Sequence, residues 1–337
     1  MRRMETLIAS MKRPVRRALR RSPMLRGVYF RLASLYHRFR LEKGIASRGG
    51  LVGDTRPNSV NPEKVVWIFC SGRSGSTWLR SMMEELVPCE VWEEPNVGQL
   101  FGEFYDSNRG GRLSSADFVM GDPTRKAWVR ALRNFVLEMA WAARPAITPR
   151  DYLLVKEPDG AVGAPLLMEA LPESRVILLV RDPRDVVAST LDASRRGNWM
   201  YELQDRGARG RQARADEKPD VFVKRRADKY VRNVGNAKQA YEAHKGPKVL
   251  VRYEDLRADT LGTMKRICSE LGIPVDEGEL ARAVERRSWE SIPEKEKGEG
   301  KFYRKATPGG WREDLTPEQV KTVEKITAPL LEEFYPS

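Results

Sequence analysis

The stretch KVVWIFCSGRSGSTWLRSMMEEL, residues Lys64 to Leu86, decides how this chain folds. Its first part, Val65 to Cys70, is a short apolar run of the kind that makes a buried strand, and its last part sets Trp78, Leu79, Met82, Met83 and Leu86 on one side of a helix. Between them lie Gly72, Arg73, Ser74, Gly75, Ser76 and Thr77. The order is strand, small-residue loop, helix. Glycines permit a tight turn in which successive backbone N–H groups converge on one anion, and the positive N-terminal end of the following helix adds to the attraction. The stretch therefore reads as a phosphate-binding loop, although glycine-rich strand-to-helix turns also occur without ligands.

The loop of ATP and GTP users requires G-x-x-x-x-G-K-[ST]. With Gly75 as its second glycine, Cys70 falls where the first belongs and Ser76 where the lysine belongs. The segment RSGSTWL instead resembles the donor loop of the sulfotransferases that use 3′-phosphoadenosine 5′-phosphosulfate (PAPS), whose pattern is roughly [KR]-S-G-[ST]-[ST]-[WF]-L. Arg73 stands where the cytosolic enzymes carry Lys and many carbohydrate sulfotransferases carry Arg. The resemblance implies that Arg73, Ser74, Gly75, Ser76, Thr77 and Trp78 hold the donor.

A second segment is similar to the same family. SRVILLVRDPRDVVASTLDASRRGNW, Ser174 to Trp199, is an apolar strand ending in Arg181, a proline turn, and a helix from about Asp185. It resembles the element strand-R-[ND]-P-[RK]-D-V-x-x-S, which implies that Arg181 and Ser189 grip the 3′-phosphate. An Arg at a strand's carboxyl end, aimed into the crevice of a parallel sheet, suits bidentate phosphate binding. Arg184 and Asp185 read as an ion pair closing the turn.

The matches continue in the family's order. KVLVRYEDLRAD, Lys248 to Asp259, reads as a buried strand and a structural Y-E-D-L element, with Glu254 and Asp255 organising the turn. VERRSWESI, Val284 to Ile292, resembles the element bordering the adenine, with Ser288 and Trp289 on its Ser and Phe positions. Trp289 reads either as a stacking partner for adenine or as a core residue. FYRKATPGGWREDLTPEQ, Phe302 to Gln319, resembles R-K-G-x-x-G-D-W-K; it keeps Arg304, Lys305, Gly309 and Trp311 but has Ala306 for the first glycine and Gly310 for the Asp. The resemblance spans about residues 64 to 319. Alternation of strands near 65–70, 152–156, 176–180 and 248–252 with helical stretches argues independently for a parallel α/β sheet, and the resemblance implies an α/β, P-loop-like three-layer fold with a central, mostly parallel sheet flanked by helices.

The acting groups follow from the chemistry that the resemblance implies. An acceptor oxygen attacks sulfur in line while the departing nucleotide, 3′-phosphoadenosine 5′-phosphate (PAP), gathers negative charge. Arg73 and Lys156, the latter ending DYLLVK, are the expected cations. The cytosolic enzymes place a catalytic His just after that Lys, but here the chain reads KEPDG, and His37 and His244 both lie elsewhere. A carboxylate base is expected instead: Glu94 first, from the E-P element in VWEEPNVGQLF, then Glu157 and Glu93. Glu94 has the alternative role of orienting the acceptor or capping a turn. No metal site is needed, and Cys70, Cys89 and Cys268 show neither metal-ligand spacing nor a disulfide framework. A P-loop kinase and a non-catalytic basic membrane-binding protein are the competing readings.

Charge bears on partners. Up to Arg48 the chain has 14 Lys and Arg against Glu5 and Glu42, so that segment holds +12 of the net +13 and the basic excess is no nucleic-acid signal of the domain. Leu25, Val28, Tyr29, Leu32, Leu35, Tyr36 and Phe39 form a helical apolar stripe flanked by Arg26, Arg31, Arg38 and Arg40. Residues 25–39 read as an anionic-membrane contact, a docking helix or an organellar transit peptide. The expected organisation is a basic appendage over 1–48, a linker over 49–63 and a sulfotransferase domain over 64–337. No apolar run reaches the ~18 residues of a membrane span, so the expectation is a bacterial, cytoplasmic protein, peripheral on the inner membrane face. The acceptor is expected to be a carbohydrate or glycolipid hydroxyl, and Arg195 to Lys229 reads either as a lid over it or as a solvated loop without a specific role. Oligomeric state has no signature in the sequence.

Overall fold

The computed structural model describes residues 60–195, 197–200 and 217–336. Five strands follow in chain order: β1 (Val65–Cys70), β2 (Cys89–Glu93), β3 (Tyr152–Glu157), β4 (Arg175–Val180) and β5 (Lys248–Arg252). All six residues of β1 are buried, which a strand tolerates only when both of its faces are covered, because successive side chains point to opposite sides. The sheet order is β2-β3-β1-β4-β5 and every pairing is parallel. β2 is not among the strands expected from the sequence. It is an edge strand in which only Trp92 is buried, so CEVWE lacks the apolar run that marks a covered strand.

Helices cover both faces. They are α1 (Ser76–Leu86), α2 (Val97–Asn108), α3 (Arg125–Ala143), α4 (Ala164–Ala170), α5 (Pro183–Ala193), α6 (Pro219–Ala243), α7 (Tyr253–Ala258), α8 (Thr260–Glu270), α9 (Glu277–Arg286), α10 (Trp311–Asp314) and α11 (Pro317–Phe334). Val66 and Ile68 of β1 share one core with Leu79, Met82 and Met83 of α1 and Met264 and Ile267 of α8. Trp67 and Phe69 face the other side, among Leu132 and Val136 of α3 and Tyr230 and Val234 of α6. The period-2 alternation of β1 thus divides one strand between two cores, giving the three-layer P-loop-like fold.

Because all five strands run the same way, their carboxyl ends share one edge of the sheet. The loop after β1, the end of β3, the turn after β4 and the start of α7 after β5 meet there, where open α/β sheets bind ligands. Among the described residues no helix is long and apolar enough to cross a membrane. The basic segment 1–48, with its stripe at 25–39, lies outside the described residues, as does most of the 49–63 linker. Of the candidate lid, residues 201–216 lie outside them too, and from Pro219 to Lys229 the chain is the opening of α6, its helical register set by a proline in the first turn.

Candidate active site

The strand ends open onto a cleft of about 590 Å³, within the range of small-ligand sites. One wall is the loop between β1 and α1. Gly75 has φ of 85°, and a Cβ there would lie 2.6 Å from the Tyr253 ring, so the loop rests on that ring only because position 75 has no side chain. Arg73, Glu94 and Ala306 line the cleft with φ of 72°, 45° and 51°, a backbone that non-glycine residues adopt at a cost of ~1–3 kcal/mol each. Ala306 stands where the family pattern has glycine, and it holds the left-handed conformation nevertheless.

Cations crowd one corner. Arg181, at the end of β4, lies 4.4 Å over the Tyr253 ring and donates from Nη1 to the Arg73 carbonyl at 3.0 Å; its Nε is buried without a partner. Arg73 donates from Nε to Ser189 Oγ at 3.2 Å and from Nη2 to the Phe302 carbonyl at 2.8 Å, between the rings of Trp199 and Phe302. Burial and the neighbouring Arg181 pull the Arg73 guanidinium down to about 10. Arg304 pairs with Asp314 and lies 3.7 Å from Asp192, while Lys305 pairs with Glu313 at 2.7 Å. Several guanidinium groups held together in a half-dry corner repel one another unless an anion joins them. The donor set and its orphaned nitrogen fit a phosphate.

Other donor-side expectations divide. Thr77 and Trp78 line the cleft; Trp78 anchors its indole N–H on the Arg287 carbonyl at 2.6 Å and meets Tyr253 edge to face. Trp289 also lines it, with Lys297 5.1 Å over its ring, so it is a wall residue and not a core one. Ser74 is buried beneath the loop, its Oγ unpartnered, and Ser288 lies off the wall, accepting from the Ser291 N–H at 3.3 Å. The expected Arg184–Asp185 pair is not made. Arg184 pairs with Asp182 at 2.7 Å and Glu324 at 2.8 Å, while buried Asp185 accepts from the N–H groups of Gly309 and Trp311 at 2.8 and 3.0 Å. Asp185 thereby ties the loop carrying Arg304 and Lys305 to α5.

On the opposite side, alternation along β3 separates two neighbours. The ammonium of Lys156 points into the cleft, 2.6 Å from Glu94, 2.7 Å from Glu93 and 3.2 Å from Thr77 Oγ1. Burial pulls Lys156 down, but the two glutamates outweigh it and its pKa lies above the ordinary lysine value. Glu94 is tied at its backbone as well, donating its N–H to the Lys156 carbonyl at 2.9 Å. Glu157 points the other way. It is fully buried and accepts from the Val97 N–H at 2.8 Å, at the start of α2, and the structure does not bring it to the cleft. Burial lifts its pKa to about 7 against the pull of the Val97 and Gly98 N–H groups. That value would suit a base, but a base must first reach the proton.

The sequence reading did not single out Asp159, Arg226, Lys229 or Tyr253 as wall residues, although Arg226 and Lys229 fall within the segment read as a candidate lid. Tyr253 carried a signal: it opens Y-E-D-L directly after a buried parallel strand, at the edge where such sheets bind ligands.

The chain matches the model described as "Sulfotransferase family" over residues 66–277, and it belongs to that family. Cytosolic sulfotransferase 17 of Arabidopsis thaliana is 21% identical over 287 residues, 75% of this chain and 80% of that protein. Among solved structures, sulfotransferase STF9 from Mycobacterium avium is similar with a TM-score of 0.53 at 14% identity, covering 94% of this chain and 87% of that one, and establishes the fold. The mouse sulfotransferase SULT7A1 complexed with PAP gives a TM-score of 0.49 at 15% identity, over 82% of this chain and 88% of that one.

Proposed function

We propose that this enzyme moves a sulfuryl group from PAPS to the hydroxyl of a carbohydrate or glycolipid acceptor, releasing PAP. The observation that carries the reading is that the Arg73, Arg181 and Ser189 corner and the Lys156–Glu94 pair open onto one cleft. Arg181 and Ser189 take the 3′-phosphate, with Arg304 and Lys305 beside them, and the N–H groups of the Arg73–Thr77 loop take the 5′-phosphate. Lys156 and Arg73 counter the charge that builds on the leaving phosphate. As Lys156 is drawn toward that charge, Glu94 is released from it and accepts the hydroxyl proton. The charged wall of Glu94, Asp159 and Lys229 supports a polar acceptor over an apolar one.

Thermal shift with PAP, compared with ATP and Mg²⁺, tests the donor; stabilisation by ATP–Mg²⁺ alone would favour a kinase instead. Arg181→Ala should weaken PAP binding by about 2–3 kcal/mol, and Ser189→Ala by ~1, because the arginine contact is charge-assisted and the serine contact is not. Unchanged PAP affinity in Arg181→Ala would remove Arg181 from the donor site. Transfer of ³⁵S from PAPS into glycan and lipid extracts identifies the acceptor class.

Residues 1–48 are proposed as an appendage joined by the 49–63 linker, with residues 25–39 resting on an anionic membrane surface at its cytoplasmic face. The support is the sequence stripe and its arginines. Binding to phosphatidylserine vesicles should weaken with salt and on replacing Leu32 and Leu35 by Asp; a full chain that ignores such vesicles at low salt overturns the membrane role.

A further inference from the structure

Phe222, Arg225, Arg226 and Lys229 recur at spacings of three and four along α6, so one face of the helix presents all of them to the cleft. Two of these three cations are neutralised where they stand. Arg225 makes a two-pronged pair with Glu217 at 3.0 and 2.6 Å, and Lys229 sits 2.7 Å from Asp159. Arg226 has neither a hydrogen bond nor an ion pair among the described residues, and its Nε is enclosed without a partner. Burial pulls its guanidinium below the ordinary arginine range; Asp159 opposes that and Arg225 adds to it.

A half-buried guanidinium whose Nε is enclosed without a partner is costly, and native proteins keep such groups where something else completes them. The position of Arg226 narrows what that is. One of its terminal nitrogens lies 4.0 Å from where a Cβ on Gly72 would stand, so it borders the start of the donor loop. It shares no partner with the donor corner, where Arg73 holds Ser189 and Phe302 and Arg304 holds Asp192 and Asp314. Its electrostatic neighbour is instead Asp159, on the turn that follows Lys156.

We propose that Arg226 binds an oxyanion group, a carboxylate or phosphate, carried by the acceptor itself, so that the hydroxyl substrate of this enzyme is an anionic one. This rests on the sulfotransfer reading above. A guanidinium fork matches both groups with two parallel hydrogen bonds, which fixes direction as well as position. Anchoring the acceptor's anion beside Gly72 places the rest of the molecule in the cleft that also holds Glu94 and Lys156. A neutral sugar leaves Arg226 without a counter-ion, so the same residue discriminates against uncharged acceptors.

The test uses the full chain saturated with PAPS and inorganic phosphate as the probe, titrated by calorimetry. With PAPS filling the donor corner and the transferring position, phosphate that still binds reports a separate anion site. Wild type is expected to bind it, Arg226→Gln at least tenfold more weakly, and Arg226→Lys in between. Arg225→Gln, whose pair with Glu217 leaves it no free charge, should change binding no more than about threefold. Phosphate affinity unchanged in Arg226→Gln overturns the proposal, as does a PAPS complex of wild type that binds no phosphate. A tenfold loss of PAPS affinity in Arg226→Gln with phosphate binding intact also overturns it, assigning the residue to the donor. Wild type that fails to bind PAPS at all overturns the sulfotransfer reading and takes this proposal with it.

Discussion

Glu94→Gln is expected to lower turnover about 10²–10⁴-fold while leaving PAP affinity nearly unchanged. The substitution keeps size and one acceptor oxygen but removes the ability to take a proton at neutral pH. Glu157→Gln is the control, and the structure separates the two. Glu94 lines the cleft beside Lys156, whereas Glu157 is fully buried against the start of α2. Turnover in Glu157→Gln should therefore stay within about threefold of wild type, although a pKa of about 7 would suit a base. Its effect belongs on stability. A carboxyl raised in the folded state from 4.5 to about 7 gives stability that is complete below 4.5 and is lost as pH rises through 7. Urea unfolding of wild type should thus lose on the order of 3 kcal/mol more than Glu157→Gln between pH 4.5 and 8. If Glu157→Gln abolishes turnover and Glu94→Gln spares it, the base assignment is reversed.

The contrast between these two glutamates shows what the sequence encodes legibly. Covered strands announce themselves as apolar runs, so β1, β3 and β4 and the loop after β1 are readable, along with the cations at the strand ends, and the edge strand β5 is readable from its short VLV run. β2 is not, because an edge strand is only half covered and CEVWE carries no apolar run. Glu157 directly follows Lys156, and closeness in sequence made it a candidate, but the period of two along a strand sends its side chain to the opposite face. Asp185 illustrates a different limit. It sits next to Arg184 and reads as its partner, yet its carboxylate is used by backbone N–H groups of Gly309 and Trp311, more than a hundred residues away. Arg226 is legible only as one charge among many in a basic stretch. Its meaning comes from the two neighbours that find acids and the one that does not, a distinction made by tertiary packing alone.

Lys156→Met should reduce turnover about 10²–10³-fold, the usual loss when one preorganised charge facing a developing anion is removed. Methionine preserves the unbranched stem that packs at the end of β3, so the substitution isolates the ammonium. Lys156 itself is nearly buried, at 4% exposure, while the side chains of Glu93 and Glu94 are about half exposed. Losing the cation leaves those two carboxylates close together, but water screens them, and the cost to stability should be modest, ~1 kcal/mol. Nor should Lys156 confer pH dependence on stability near neutrality. Its folded pKa lies above 10.5, so its contribution is fully present below that value and fades only as pH rises through the folded pKa. Single-turnover transfer of ³⁵S and thermal unfolding together decide the matter: a catalytic cation lowers the rate with little change in midpoint, and a structural one does the reverse. The double variant Glu94→Gln with Lys156→Met adds a sharper condition. If Lys156 releases Glu94 as it turns toward the leaving phosphate, the two act as one unit, and the double variant should lose less than the product of the single losses. Independent multiplication of the two would separate the residues and leave the proton with another acceptor, for which Asp159, on the same wall, is the next candidate.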